Sequence, residues 1–306
     1  MKLSVIVPTY NRPRDLDNLL RSIVEQTRLP QEVIVVDQSE GDETKVLLES
    51  YEGARRDSGP RFIWHHQKEK SSAKARNAGF RLSRAEIICF TDDDIVFDRN
   101  YLENVSAYFD SNPEVGGISG NVLVTDPPHG IKWAIRESMM KLFLISFMDG
   151  RMTPSGFGFP LFLHEIKEVT PVELFAGYSM NWRRRYFEEN QFDEWFMGYS
   201  FREDVELSYR ISRRTRLVMI PQARFVHNHS STNRLGLRKL KEMQVRNYYY
   251  VFKKHHGKSP LSRLLFGYSM MGLLCMSFIE FVLGFRKSKW DAFSADCLAI
   301  VELLKP

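Results

Sequence analysis

The sequence predicts a doubly wound α/β fold built on a mostly parallel sheet, and three observations carry that expectation. Short apolar, β-branched runs recur at residues 3–7, 32–36 and 86–90. Stretches with apolar residues at helical spacing alternate with them, as in repeated βα units. Each run also stops at a polar cluster: Thr9-Tyr10-Asn11, Asp37-Gln38-Ser39 and Asp92-Asp93-Asp94. In open α/β sheets ligands bind beyond the carboxyl ends of the strands, so the three clusters mark where chemistry is expected.

In order, residues 3–7 form a first strand stopped by Pro8, reading as a buried parallel strand. Over 15–26, Leu16, Leu19, Leu20, Ile23 and Val24 share one helical face. A second strand at 32–36, a helix at 44–51, a third strand at 61–65 and a helix at 72–82 follow. The fourth strand, 86–90, runs into Thr91-Asp92. The middle, 121–170, is less regular. Its Gly/Pro/aromatic stretch from Thr153 to Pro160 reads equally as a connection or as a mobile lid or acceptor wall. Glu203-Asp204 opens a helix over 205–211, and 217–220 is a further short strand. Phe225-Val226-His227 and a basic tail from Arg234 to Arg246 come next. The expected organisation is a catalytic domain at 1–233, with a nucleotide-binding half at about 1–120 and an acceptor-binding half at about 121–233. Residues 234–306 form a helical C-terminal extension.

Residues 264–283 are rich in Leu, Phe, Met and Gly, with Glu280 their only charge. About twenty such residues are long enough to span a bilayer. A helix packed on the body, or one lying in a membrane interface, fits as well. Arg263 before the segment and Arg286, Lys287 and Lys289 after it suit an anionic lipid surface. Peripheral contact at the cytoplasmic face of the membrane is the favoured expectation.

The chain has 306 residues, 43% of them hydrophobic, enough for a sizeable core. With 26% charged and 13% aromatic residues the composition is globular rather than disordered. A net charge of +5 suits an anionic substrate, an anionic membrane or a nucleic acid. The basic residues are scattered instead of lining one helix with stacking aromatics, so no nucleic-acid partner is expected. Cys89, Cys275 and Cys297 lack CxxC spacing, which supports neither a zinc site nor a disulfide framework. The N-terminal apolar run is too short for a secretion signal, and a cytoplasmic location is the default. The first strand is followed by Pro8-Thr9-Tyr10-Asn11-Arg12, where a nicotinamide or flavin enzyme has GxGxxG. Walker A and the glycine-rich loop of a sugar-phosphate nucleotidyltransferase are absent as well.

Three consecutive aspartates after a buried strand repel one another unless a cation offsets their charge. A hard divalent ion, Mg²⁺ or Mn²⁺, does this with one or two carboxylates and the phosphates of a substrate. Held there, it neutralises a diphosphate leaving group. A solvated acidic loop capping the next helix is the bland alternative; the polar ends of two other strands favour the metal.

The run Ser4-Val5-Ile6-Val7-Pro8-Thr9-Tyr10-Asn11-Arg12 resembles the opening of the family 2 glycosyltransferases, which have the A-type nucleotide-diphospho-sugar transferase fold. Val33-Ile34-Val35-Val36-Asp37, Ala75-Arg76-Asn77-Ala78-Gly79, Phe90-Thr91-Asp92-Asp93-Asp94 and Arg202-Glu203-Asp204-Val205-Glu206-Leu207 agree in order and spacing. The resemblance covers about residues 2–229. It implies an inverting, metal-dependent transferase that moves a sugar from a UDP, GDP or dTDP sugar to a glycan or lipid-linked acceptor. A cell-envelope polysaccharide or glycolipid is the expected product, and a catalytically inactive nucleotide-sugar-binding module is the alternative.

The resemblance also implies roles. Thr9, Tyr10, Arg12, Asp37, Arg76, Asp92 and Asp93 are expected at the donor nucleotide, with relatives differing over which aspartates reach the ion. Asp94 and Asp92 are the implied metal ligands in the Asp-x-Asp pattern. His227 is a third candidate, a structural histidine being the alternative. Asp204 is the implied general base, beside Glu203, whose charge raises its neighbour's pKa. Gly177, Asn181, Trp182 and Glu203 are expected at the sugar or acceptor, Trp182 standing where a smaller apolar residue is usual. Arg183-Arg184-Arg185 reads as a phosphate contact or a solvated basic face.

Overall fold

A computed structural model describes residues 1–54, 59–124, 127–163, 165–230, 236–284 and 286–303. Arg234, at the head of the expected basic tail, and the expected domain boundary at 233/234 lie outside the described residues. The chain divides into two compact units, one of residues 1–126 and 162–233, the other of residues 127–161 and 234–306. The segment 127–161 therefore groups with the C-terminal helices, because its apolar side chains join their core.

The first unit opens with β1 (Leu3–Thr9), α1 (Pro13–Val24), β2 (Glu32–Asp37), α2 (Glu43–Gly53), β3 (Arg61–His66), α3 (Ser72–Leu82) and β4 (Ile87–Phe90). Then come β5 (Ile95–Phe97), α4 (Tyr101–Ser111) and β6 (Val115–Val122). The chain passes through α5 (Gly130–Leu142) of the second unit. It returns with β7 (Thr170–Val172), β8 (Met180–Arg183), α6 (Arg184–Glu188), α7 (Glu203–Ser212) and β9 (Arg216–His227). The nine strands form one mixed sheet in the order β3-β2-β1-β4-β8-β6-β9-β5, with β7 on β9.

The βα repeat builds the parallel part, β3-β2-β1-β4. Every residue of β1, β2 and β4 is buried, as expected of strands covered on both faces. Proline at the first turn of α1 costs no hydrogen bond. The helix buries Leu16, Leu19, Leu20 and Ile23 in the same core as Val5, Val7, Val33 and Val35. Ser71 caps α3 by accepting from the backbone N–H of Lys74.

Register then sets the site. Thr9 pairs with Asp37, so the ends of β1 and β2 fall side by side. Ile6 pairs with Phe90, which brings the aspartates after β4 to the same edge. β8 enters antiparallel between β4 and β6. On the far side Ile95 pairs with His227, delivering that histidine to the aspartate run.

The second unit packs α5 with α8 (Leu237–His255), α9 (Pro260–Gly284) and α10 (Lys287–Leu303). Phe157 is fully buried and stacks on Tyr248 at 4.4 Å, and Phe252 stacks on Phe266 at 4.3 Å. The hydroxyls of Thr153 and Ser155 donate to the Leu144 carbonyl. The Gly/Pro/aromatic stretch is thus anchored into this core through Phe157.

Candidate active site

Two side-chain clusters meet at the carboxyl edge of the parallel strands, joined by consecutive Asp92, Asp93 and Asp94. The first is built on Arg76, buried on α3. One of its terminal nitrogens donates to Glu203 Oε1, and the other to Asp92 Oδ1 at 2.8 Å. The latter nitrogen also reaches the Gly177 carbonyl at 3.5 Å. Asp204 completes the group. Its Oδ2 accepts the Gly177 N–H at 2.7 Å and its Oδ1 the Val205 N–H at 2.7 Å.

The turn at residue 177 has no room for a side chain. A Cβ there would lie 2.9 Å from Arg76 Nη2 and 3.5 Å from Asp204 Oδ2. Before α7, Ser200 and Arg202 adopt left-handed backbone, with φ of 54° and 75°. Non-glycine residues held there signal a conformation imposed by the surroundings. Among them, the Ser200 hydroxyl donates to the Phe196 carbonyl at 2.9 Å.

The second cluster is built on Asp93 and Asp94. Asp93 is buried and held on both oxygens, by the Thr9 hydroxyl at 2.8 Å and by Arg12 at 3.1 Å. Arg12 also lies 3.8 Å from Asp94 Oδ2. Asp94 Oδ2 accepts the Ser230 N–H at 2.9 Å, while its Oδ1 faces His227 Nε2 at 3.2 Å. The other ring nitrogen of His227 is buried without a hydrogen-bond partner among the described residues. Asp92 is the most open of the three, its side chain about one-third exposed.

The electrostatics separate these acids. Burial pushes Glu203 up to about 8, with the Asp204 charge adding to it, against the pull of Arg76. Burial also raises Asp204, against the two backbone N–H groups and Arg76. Asp93 rises to about 7 through burial, partly opposed by Arg12 and Thr9. At Asp94 burial acts in the same sense, but the bonds from His227 and Ser230 and the Arg12 charge outweigh it, leaving the carboxyl low.

Of the residues named from the sequence, Thr9, Arg12, Arg76, Asp92, Asp93, Asp94, Gly177, Glu203, Asp204 and His227 fall in these two clusters. Asp37 is fully buried beside them, accepting from the Ser39 N–H at 2.9 Å and from Trp64 Nε1 at 3.2 Å. The Tyr10 hydroxyl accepts from Lys70 at 2.7 Å.

Asn181 and Trp182 require a correction. Both lie on β8 with no exposure, inside the sheet. Asn181 donates to the Tyr101 hydroxyl and to the Ile118 carbonyl, both at 3.0 Å. The Trp182 ring covers Gly117, where a Cβ would stand 2.5 Å from it. Neither side chain is open to a sugar or acceptor. Arg183 and Arg184 likewise donate to carbonyls, of Val115 at 2.8 Å and Ala85 at 2.6 Å, while Arg185 is exposed and reaches the Pro113 carbonyl at 3.3 Å, as in a solvated basic face.

One residue of the site lay unmarked in the sequence. Tyr178, next to Gly177, has a buried hydroxyl with no partner among the described residues and a ring 4.9 Å from that of His227. Burial, then the charges of Asp204 and Asp92, push its phenol far up. It lies in the stretch from Phe175 to Arg184 that resembles the family's donor-sugar and acceptor loop, but the resemblance gives it no role of its own. A surface groove lined by Pro13, Arg14, Asp17, Asp42, Glu43 and Val46 shares no residue with the clusters.

The profile of Glycosyl transferase family 2 matches residues 4–167, over half the chain. This protein belongs to that family. An uncharacterized glycosyltransferase of Haemophilus influenzae is 34% identical over 116 residues, 38% of this chain and 37% of that protein. The validoxylamine A glucosyltransferase of Streptomyces hygroscopicus subsp. limoneus is 35% identical over 107 residues, 34% of this chain and 23% of its own. The matches thus span well under half of those relatives' lengths.

Among solved structures, Staphylococcus aureus TarS 1–349 in complex with UDP-GlcNAc superposes with a TM-score of 0.60. The identity is 16%, over 96% of this chain and 79% of that one. The mannosyltransferase PcManGT of Pyrobaculum calidifontis, in complex with GDP-Man and Mn²⁺, gives 0.57 at 18% identity, over 98% and 85%. The family 2 chain has the A-type transferase fold of these neighbours, with helices at its C-terminal end.

Proposed function

We propose that this family 2 member moves a sugar from a nucleotide-diphospho-sugar to an acceptor hydroxyl, with inversion, in the presence of Mn²⁺ or Mg²⁺. The observation that carries this reading is the buried Arg76 guanidinium, which holds Asp92 with one nitrogen and Glu203 with the other. Through it the acidic strand end and the acidic start of α7 become one site. TarS in complex with UDP-GlcNAc and PcManGT in complex with GDP-Man and Mn²⁺ support the donor class.

The residues present suit a hard divalent ion. Asp94 offers a carboxylate kept ionised and His227 an imidazole nitrogen 3.2 Å away, and Asp92 stands two positions earlier in the chain. Among the described residues no group of three or more such side chains is already gathered. Mg²⁺ and Mn²⁺ commonly take few protein ligands and complete their shell with phosphate oxygens and water. Bound there, the ion supplies charge neutralisation to the departing diphosphate. Thr9, Tyr10, Arg12 and Asp37, at the ends of β1 and β2, are assigned to the nucleotide.

Asp204 is assigned as the base. Two backbone N–H bonds fix its carboxylate, and burial raises its affinity for a proton, which favours proton abstraction. The acceptor O–H gives its proton to Asp204 as the oxygen attacks the anomeric carbon. The bond from that carbon to the diphosphate oxygen breaks, and its electron pair leaves with the diphosphate. One displacement inverts the centre without an enzyme nucleophile.

A cell-envelope polysaccharide or glycolipid is the product class we assign. It rests on the 30% identity over 114 residues to the S. aureus poly(ribitol-phosphate) beta-N-acetylglucosaminyltransferase TarS. A cytoplasmic location, at the membrane face, suits such a product. Mass spectrometry of a UDP-, GDP- and dTDP-sugar panel, with candidate polysaccharide and lipid-linked acceptors, tests the reading. A glycosylated acceptor formed only with divalent metal is expected; retention of the anomeric configuration in that product would remove the single-displacement step.

A further inference from the structure

Large apolar side chains are unevenly exposed in this chain. Fifteen of the 23 exposed large hydrophobics among the described residues belong to the second unit, the smaller of the two. On α9, Leu261, Leu264, Met271, Phe278 and Val282 follow a three-and-four spacing along one face, and Leu264 is 70% exposed. The opposite face, with Phe266, Ser269, Met270 and Met276, is buried in the unit's own core. Near the end of α9, Phe278 meets Phe293 of α10 at 5.4 Å and Phe281 meets Trp290 at 5.1 Å between ring centroids, and Trp290 and Phe293 lie 5.9 Å apart on α10 itself. Phe278 and Trp290 are each about half exposed.

Charge follows the same division. The second unit carries 17 Lys and Arg against 7 Asp and Glu, whereas the first carries 26 against 31. Arg286, Lys287 and Lys289 adjoin the aromatic corner. The carboxylate on this part of α9, Glu280, is paired with both Arg136 and Lys289. The apolar corner is therefore flanked by Arg286, Lys287 and Lys289, with exposed Asp291 beside Trp290 and Glu280 neutralised from within.

We propose that the second unit docks on an anionic lipid surface through the corner between α9 and α10. Phe278, Phe281, Trp290 and Phe293 sit at the boundary between headgroups and acyl chains, and Arg286 and Lys287 sit on the headgroups. Aromatic rings favour that depth, and each basic residue adds attraction to an anionic leaflet. A second copy of the chain would bring a like excess of positive charge to the contact, which favours the lipid as occupant. A full span would strip the core face of α9 from its neighbours, so the helix lies on the surface.

The test uses the full chain and needs no sugar donor, so it is independent of the transfer reaction. Sedimentation with phosphatidylcholine vesicles, with and without phosphatidylglycerol, is measured at low and high salt. Selective binding to the anionic vesicles, weakened by salt, is expected. Arg286→Gln with Lys287→Gln is expected to weaken it about tenfold or more. Phe278→Ser with Trp290→Ser is expected to reduce it comparably or further. Thermal melting checks that the variants fold; should the aromatic pair unfold, the exposed charge pair decides. The proposal is overturned if the chain stays in solution with anionic vesicles at low salt, binds both vesicles equally, or binds undiminished in folded variants. A self-associated chain that binds no vesicles would assign the corner to a second copy and overturn it too.

Discussion

Arg76 on α3 and Glu203 at the start of α7 are 127 positions apart in sequence and form a buried ion pair. The second terminal nitrogen of Arg76 holds Asp92 at 2.8 Å. Above about pH 8, where Glu203 is ionised, removing one partner of such a pair leaves a charge in a low-dielectric site, at a cost of about 3–5 kcal/mol. Arg76→Ala is expected to lower unfolding stability in urea, measured above about pH 8, by that order. Combining it with Glu203→Gln, which removes the stranded acid, should recover part of the loss. Equal stability of the single and double variants would show that the two side chains are not coupled.

Asp204 is assigned the proton-transfer step and no donor contact. Asp204→Asn is expected to lower transfer by about 10²–10⁴-fold, while nucleotide-sugar affinity by titration calorimetry changes little. Ordinary transfer by a correctly folded Asp204→Asn protein would refute the base assignment.

Gly177 sits where its N–H reaches Asp204 and where Arg76 leaves no space for a Cβ. Gly177→Ala must displace the Arg76 guanidinium, whose terminal nitrogen would lie 2.9 Å from the new Cβ. Small misplacements near a reacting centre cost up to about 10² in rate. A fall in kcat of roughly this order is expected, with less effect on donor affinity. An unchanged kcat would mean that the turn tolerates a side chain.

Glu203 gives a stability signature in pH. Burial and the Asp204 charge raise it from an ordinary 4.5 to about 8 in the folded protein. The folded state then keeps a proton that the unfolded chain releases. This contribution is complete below 4.5 and is lost as pH rises through about 8. Thermal unfolding of the parent should weaken across that window more than that of Glu203→Gln. Parallel pH profiles for the two proteins would contradict the raised value.

Much of this arrangement was legible because one-dimensional signals coincide with it. Buried parallel strands read as continuous apolar runs, and their polar ends mark one edge of the sheet. That logic marks Thr9, Asp37 and Asp92 through Asp94 from the sequence. Asn181 and Trp182 escaped it because β8 inserts antiparallel between β4 and β6. A four-residue strand with Asn, Trp and Arg carries no clear period, and its burial is fixed by distant partners. Tyr178 escaped for a related reason, since its setting depends on His227, Asp92 and Asp204, which are brought together only by folding. The grouping of 127–161 with the C-terminal helices rests on Phe157 meeting Tyr248, a contact that no local pattern encodes.

The central claim is sugar transfer from a nucleotide-diphospho-sugar that depends on a divalent ion held by the aspartate run. It is tested most directly by measuring nucleoside diphosphate released from a panel of UDP, GDP and dTDP sugars. The parent and Asp94→Ala are compared, each with Mn²⁺ or with chelator. Release by the parent with Mn²⁺ from at least one donor is expected, with near-complete loss in chelator or in the variant. Release that persists equally in chelator and in Asp94→Ala, or none from any donor with either ion, would contradict that claim.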